Sequence, residues 1–113
     1  MSSLSTHVLD TYSGCPAAGV RVQLWQLGTQ DAKQLLLETE TNQQGRAELA
    51  THLAEGEYAL YFLIGDYFKP LLNPAKPMFL NVLPIQFYMA EPNQHYHVPL
   101  VVSPWAYSTY RGS

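Results

Sequence analysis

Short segments in which apolar and polar side chains alternate constrain the fold of this chain more than any other feature. Within Val20–Trp25 every second residue is aliphatic, which is typical of a strand with one buried face. Similar segments recur between turn signals, at Leu4–Leu9, Gln34–Thr41, Glu57–Ile64, Val82–Met89 and Gln94–Val102, with a shorter one beginning at Arg46. Repeated short strands separated by turns predict an all-β sandwich.

One segment departs from the simple alternation. Both faces of Glu57–Ile64 are apolar, whereas the outer face of an antiparallel sheet normally meets water. A covering helix or a second subunit is therefore expected there. The following residues, Gly65–Leu72, predict a short helix in which Pro70 lies in the first turn or ends the helix.

Length and composition exclude several classes of function. The 113 residues predict a single domain, 1–113, because they leave no room for a second core. Only 13% of residues are charged and the net charge is −3, so no basic stripe is available for nucleic acid. The low charge also suggests that other subunits cover part of the surface. The lone Cys15 excludes an internal disulfide.

The sequence also bears on location. No apolar run approaches the roughly eighteen residues that a membrane-spanning helix needs, and no signal pattern opens the chain. We expect no membrane partner and a cytoplasmic location, with a periplasmic or peroxisomal one as the alternative if a leader was removed.

The segment Gln94–Val102 holds the strongest candidate site. Its apolar stripe consists of Tyr96, Val98, Leu100 and Val102. Because side chains alternate across a strand, His95 and His97 project from the opposite, outer face. The inward-facing aliphatic residues of the first strand leave His7 pointing outward as well. These observations predict a histidine-bearing site on the outer face of a sheet.

Three interpretations of the histidines stay open at this point. They are solvated strand residues, a metal site or acid–base groups. A His-x-His pair suits zinc, but zinc needs at least a third ligand, and the only other histidines are His7 and His52. No metal is therefore expected. A histidine is also the side chain best suited to move protons near neutral pH.

Arg46 follows the turn glycine Gly45 and is either a surface arginine or a planar fork that holds a carbonyl or anionic group. No serine stands in a nucleophile-elbow motif, and no phosphate-binding loop is present. The histidines and the arginine together favour activation of water for attack on a polarised carbonyl.

The order of motifs along the chain resembles that of the 5-hydroxyisourate hydrolases, the transthyretin-related enzymes of urate breakdown. The matching motifs are LSTHVLD, the G-x-P-A-x-x-V-x-V stretch from Gly14 to Val22, TNQQGR, GEY, GDYF, HYHVPL and the closing STYRGS. They cover essentially the whole chain. The closing Y-R-G-S distinguishes the enzymes from transthyretin proper.

This resemblance implies a transthyretin-like (prealbumin-like) sandwich of two four-stranded antiparallel sheets with one short helix. It also implies a homotetramer, a dimer of dimers, with active sites in a channel at the dimer–dimer interface. The implied reaction is hydrolysis of 5-hydroxyisourate to 2-oxo-4-hydroxy-4-carboxy-5-ureidoimidazoline, with no cofactor.

The family's functional residues map onto this chain one by one. The catalytic positions correspond to His7, Arg46 and His97, and the substrate-binding positions to His95, Tyr110, Arg111 and Ser113. In the mechanism we expect, His97 activates water and Arg46 stabilises the substrate and the oxyanion. His7 positions the water or relays the proton.

Two other functions are compatible with a sandwich of this kind. Prealbumin-like repeats of surface proteins share part of the motif order and act as stalks or adhesion modules, but they have no use for the His7, Arg46 and His97 set. A transthyretin-like carrier of small hydrophobic molecules would line its channel with apolar groups, whereas this chain places histidines and an arginine there.

Overall fold

The computed structural model describes residues 1–30 and 32–112, and within them the chain forms ten strands and one helix. In chain order the elements are β1 (Ser2–Asp10), β2 (Cys15–Pro16), β3 (Arg21–Leu27), β4 (Lys33–Glu40), β5 (Arg46–Leu53), β6 (Gly56–Phe62), α1 (Ile64–Leu72), β7 (Leu83–Met89), β8 (His95–His97), β9 (Leu100–Val102) and β10 (Tyr107–Thr109). No helix in these ranges is long and apolar enough to cross a membrane.

Strand β1 is the centre of the first sheet. On one side it pairs antiparallel with β5 and then with β2, and on the other side it pairs parallel with β8 and then with β9. Strand β10 pairs antiparallel with β9 and forms an edge. The six strands thus fill four positions across the sheet. The predicted sandwich of two sheets with one short helix is confirmed, but the first sheet is mixed rather than antiparallel, because β8 and β9 run parallel to β1.

The second sheet is fully antiparallel, in the order β4-β3-β6-β7. Aliphatic and aromatic side chains from the inner faces of both sheets form one core. All four residues of the apolar stripe predicted along the penultimate segment are buried, at 6% exposure or less: Tyr96, Val98, Leu100 and Val102. Their burial fixes the direction in which the alternate residues of the same segment point.

The predicted strand Gln94–Val102 is divided into β8 and β9. The break lies at Val98–Pro99, where the proline has no N–H to donate to a neighbouring strand. Pairing with β1 continues through the break, because Val98 donates its N–H to Ser5 and accepts a hydrogen bond from Thr6 Oγ1 at 2.6 Å. The two short strands therefore behave as one side of the sheet.

The predicted helix is present as α1, and Pro70 lies in its last turn rather than its first. Asn73, in the left-handed conformation, ends the helix and donates its N–H to the carbonyl of Lys69. Tyr67 Oη donates a 2.8 Å hydrogen bond to the buried carboxylate of Asp10, which ties the helix to the end of β1.

On the outer face of β6, neighbouring side chains supply cover. Tyr61 packs against Trp25 with ring centroids 6.0 Å apart, and Lys33 Nζ lies 5.1 Å from the centroid of the Trp25 ring. The rings and the lysine shield part of this face, which explains how an apolar residue such as Ala59 is buried there.

Candidate active site

The candidate site lies on the outer face of the first sheet, where the two ends of the chain run side by side. The parallel register of β1 and β8 places Ser3 opposite His95 and Ser5 opposite His97. Because the inner face of β1 is fixed by its buried aliphatic residues, these four side chains and His7 share the outer face. The predicted outward direction of the histidines is therefore what the structure shows.

A continuous hydrogen-bond chain links the two histidines through two serines. Ser3 Oγ lies 2.6 Å from His95 Nδ1, and Ser5 Oγ lies 2.9 Å from His95 Nε2. Ser5 Oγ also lies 2.8 Å from His97 Nδ1. Sequence reasoning missed both serines, although their i, i+2 spacing ahead of His7 was a signal that they share its face.

The turn before β5 brings Arg46 to the same region. Asn42 Oδ1 accepts hydrogen bonds from the backbone N–H groups of Gln44 and Arg46, at 2.9 and 3.0 Å. Gly45 has φ +76°, and a Cβ on it would lie 2.5 Å from the carbonyl oxygen of Val8. Only glycine fits a left-handed residue so close to β1. The turn places Arg46 directly opposite His7 in the β1–β5 pairing.

A cleft of about 180 Å³ opens beside these residues. Its lining consists of Ser5, Thr6, Asn42, Arg46, Ala47, Glu48 and His97. The cleft therefore combines a guanidinium, an imidazole, an amide and a carboxylate. His7 does not line the cleft but is the cross-strand neighbour of Arg46.

The environment of His97 keeps its imidazole neutral. Burial lowers the pKa of His97 below its ordinary value, and electrostatic interactions with Arg46, His95 and His7 lower it further. The carboxylate of Glu48 acts in the opposite direction and does not reverse the shift. A neutral imidazole next to a guanidinium can accept a proton from water while the arginine holds a polarised carbonyl.

The C-terminal tail packs directly on the other side of His97. Gly112 donates its N–H to the carbonyl of His97 at 2.7 Å and forms an isolated bridge with it. A Cβ on Gly112 would lie 2.7 Å from His97 Cδ2, closer than side-chain carbons ordinarily approach. Glycine at this position therefore lets the tail lie flat against the imidazole.

The structure does not bring every predicted residue to the cleft. Tyr110 and Arg111 line a second cleft of about 330 Å³ between the tail and β7, and the Arg111 guanidinium lies 4.3 Å from the centroid of the Tyr96 ring. His95 is exposed and reaches the cleft only through Ser5. Ser113 lies outside the described residues. Within the described ranges, no three His, Cys, Asp or Glu side chains are grouped as a metal site would require.

The chain is similar along nearly its whole length to proteins of known function. The chain is 48% identical to the 5-hydroxyisourate hydrolase of Deinococcus radiodurans, covering 97% of this chain and 95% of the relative. It is 49% identical to the enzyme of the same name from Halalkalibacterium halodurans, covering 97% of each.

Solved structures also match the chain along nearly its whole length. The 5-hydroxyisourate hydrolase of Klebsiella pneumoniae superposes with a TM-score of 0.84 at 36% identity over the whole of both chains. An (S)-allantoin synthase matches with a TM-score of 0.88 at 39% identity, and this chain spans 44% of its length. Transthyretin from Sparus aurata, at 23% identity and a TM-score of 0.83, shows the shared fold over 96% of this chain.

The family model described as HIUase/Transthyretin family matches residues 4–112. This range includes His7, Arg46 and His97, and it extends to the glycine that packs on His97. The chain belongs to the HIUase/Transthyretin family.

Proposed function

We propose that this chain hydrolyses 5-hydroxyisourate to 2-oxo-4-hydroxy-4-carboxy-5-ureidoimidazoline in urate catabolism. The observation that carries the proposal is the meeting of Arg46 and a neutral His97 in one cleft. The relatives that align along nearly the whole chain bear the name of this enzyme. A purely structural sandwich gains nothing from such a pair on its outer face.

The reaction suits these groups because it is the opening of a cyclic amide by water. His97 accepts a proton as the water oxygen bonds to the ring carbonyl carbon, and the C–N bond then breaks. The carbonyl carbon becomes the carboxyl group of the product, and the released nitrogen takes the proton held by His97 and becomes part of the ureido group. The atoms of one water molecule are thereby added across the bond.

Arg46 stabilises the negative charge that develops on the carbonyl oxygen. A donor of this kind contributes about 10²- to 10³-fold to the rate, which corresponds to roughly 3–4 kcal/mol. His7, directly opposite Arg46 in the pairing of β1 and β5, orients the attacking water or passes on its proton. Within one chain neither Tyr110 nor Arg111 lines this cleft. For these two residues to bind the substrate, a second copy of the chain must place its own Tyr110 and Arg111 against the cleft.

We propose that four copies of the chain assemble into a homotetramer, a dimer of dimers. The cleft opens on an outer sheet face, and exposed aromatic side chains stand at the same end of the molecule as the β1–β9 pairing. Tyr12 is 52% exposed and Trp105 is 60% exposed, with their rings in edge contact at 6.0 Å. Such a patch is typical of a surface that meets another subunit. Analytical ultracentrifugation is expected to give four chains of 12.7 kDa, and a monomer mass would overturn this assignment.

A cytoplasmic location completes the proposal. Its support is the exposed free thiol of Cys15, since free cysteines are kept reduced in the cytosol. Fractionation of cells with an antibody to the chain tests it, and recovery in an oxidising compartment would contradict it.

The activity is tested by forming 5-hydroxyisourate from urate in a cuvette and following its ultraviolet decay with and without the protein. The protein is expected to accelerate the decay far above the spontaneous rate. The His97→Asn variant is expected to lose most of this acceleration, because asparagine cannot accept the proton. A wild-type protein that leaves the spontaneous rate unchanged would refute the proposed function.

A further inference from the structure

We propose that Ser5, His95 and Ser3 form a proton relay that carries the proton accepted by His97 from the cleft to the protein surface. The inference rests on the proposed function and adds residues and a direction of proton movement to it. Three contacts on the outer face of the first sheet carry it, each within hydrogen-bonding distance.

Ser5 is the central element of this relay. Its side-chain oxygen contacts two imidazoles at once, His97 Nδ1 at 2.8 Å and His95 Nε2 at 2.9 Å. Ser5 is only 7% exposed, so water competes little for these contacts. A hydroxyl has one proton to donate and can accept another, and this is what linking two imidazoles in series requires.

Counting donors and acceptors leaves two directions for the chain of hydrogen bonds. In the first, Ser5 donates to His97 Nδ1, and the neutral His97 ring carries its proton on Nε2. In the second, His97 Nδ1–H donates to Ser5, Ser5 donates to His95 Nε2, and His95 Nδ1–H donates to Ser3. Only the second direction leaves a free lone pair on His97 Nε2. The proposed base function therefore selects it.

The relay moves a proton without changing the net protonation of either His97 or Ser5. As His97 Nε2 takes a proton from the attacking water, its Nδ1 proton passes to Ser5 Oγ. The hydroxyl proton of Ser5 passes in turn to His95 Nε2, and His95 becomes the imidazolium. Its exposed ring then releases the proton to solvent or buffer.

The charges around His97 favour this direction. Arg46 and Glu48 of β5, His7 of β1 and His95 of β8 all act on its imidazole. The fixed positive charge of Arg46 opposes a lasting imidazolium at His97, whereas the exposed His95 is solvated when charged. When the C–N bond breaks, His97 Nε2–H donates its proton to the released nitrogen and the chain runs in reverse: His97 Nδ1 regains a proton from Ser5, Ser5 regains one from His95, and His95 regains one from solvent. The Nε2 lone pair is then free for the next turnover.

The direction of the hydrogen bonds is tested directly, without substrate. Nitrogen-15 NMR of the ring nitrogens in the wild-type protein is expected to show His97 protonated at Nδ1 and unprotonated at Nε2. In Ser5→Ala the hydroxyl is gone, and this tautomer preference is expected to weaken. A wild-type His97 protonated at Nε2 would overturn the relay whatever the enzyme's activity.

Buffer rescue tests the transfer itself. At low buffer concentration His95→Ala is expected to lose about tenfold or more in kcat, and added imidazole is expected to restore the rate by taking the proton from Ser5. His52→Ala, which removes an exposed histidine outside the hydrogen-bond chain, is the matched control and is expected to show no buffer dependence. A His95→Ala variant within twofold of wild type at low buffer would overturn the relay.

The serine itself needs a separate pair of variants. Ser5→Ala is expected to lower kcat more than it raises KM, and Ser5→Thr, which keeps the hydroxyl, is expected to recover most of kcat. Ser13→Ala is the matched control, because only the backbone N–H of Ser13, not its hydroxyl, bonds to Asp10. An unchanged kcat in Ser5→Ala would refute the relay, whereas a wild-type protein without activity would refute the proposed function.

Discussion

The substitution Gly112→Ala tests how closely the tail positions His97. The added Cβ would lie 2.7 Å from His97 Cδ2, whereas nonbonded carbons pack at about 3.5–4.0 Å. The imidazole or the tail must therefore move by about 1 Å. The tail is held by the 2.7 Å hydrogen bond from Gly112 to His97, and the ring is held by Ser5. Either movement disturbs the geometry of the base.

A displacement of about 1 Å in a catalytic group costs on the order of 10²-fold in rate. At 1.36 kcal/mol for each factor of ten, this corresponds to about 2.7 kcal/mol of activation free energy. The measurement is kcat/KM from the ultraviolet decay of 5-hydroxyisourate, together with urea unfolding to show that the variant is folded at the assay temperature.

Gly28→Ala provides the matched control. A Cβ on Gly28 would first meet Ala32 Cβ at 3.4 Å, an ordinary contact, and Gly28 follows β3 in the other sheet. Its kcat/KM is expected to equal that of the wild type. If Gly112→Ala also retained kcat/KM within threefold of the wild-type value, the idea that tail packing positions His97 would be wrong.

Four further predictions concern the charges and the helix anchor. Burial and the electrostatic interactions with Arg46, His95 and His7 outweigh the effect of Glu48 and lower the pKa of His97. The value of kcat/KM is therefore expected to rise with pH to a plateau whose midpoint lies below about 6.5, and a midpoint above that value would contradict the assignment of His97 as the base. The same shift means that the unfolded chain binds this proton more readily, so the free energy of unfolding measured in urea is expected to fall as the pH drops below about 6.5. Arg46→Lys loses the planar fork and is expected to lower kcat/KM by about 10²- to 10³-fold, and a loss below threefold would refute the oxyanion role. Tyr67→Phe leaves the Asp10 carboxylate without one partner and is expected to lower the free energy of unfolding by about 1–3 kcal/mol in urea titrations while kcat is unchanged.

The sequence predicted which face of the sheet carries the site, but it did not predict all of the residues that form the site. The buried stripe that includes Tyr96 and Leu100 follows from alternation alone, and it correctly placed His95 and His97 on the outer face. The short helix was also expected, and Pro70 lies near its end, as one of the two predicted alternatives has it. These features depend on residues close together in the chain, so a local pattern suffices to predict them.

The remaining features depend on contacts between distant segments. No pattern of neighbouring residues predicts that Ser5 faces both histidines, because the parallel register of β1 and β8 determines that pairing. The close approach of Gly112 to His97 is likewise set by how the tail crosses the sheet edge. The position of Tyr110 at a different cleft follows from the same crossing. Tertiary packing, rather than residue type, selects these neighbours.

The parallel pairing of β1 with β8 has a consequence for how activity appears during folding. The hydrogen bonds from Ser5 to His95 and His97 join residues 90 and 92 positions apart, so nearly the whole chain must be ordered before the relay exists. Contacts of such long range are costly in loop-closure entropy and form late. During synthesis, the edge of β1 that pairs with β8 and β9 stays unpaired until those two strands have left the ribosome. The enzyme is therefore inactive in every partly folded form that lacks these strands, and recovery of turnover reports the closing of the sheet.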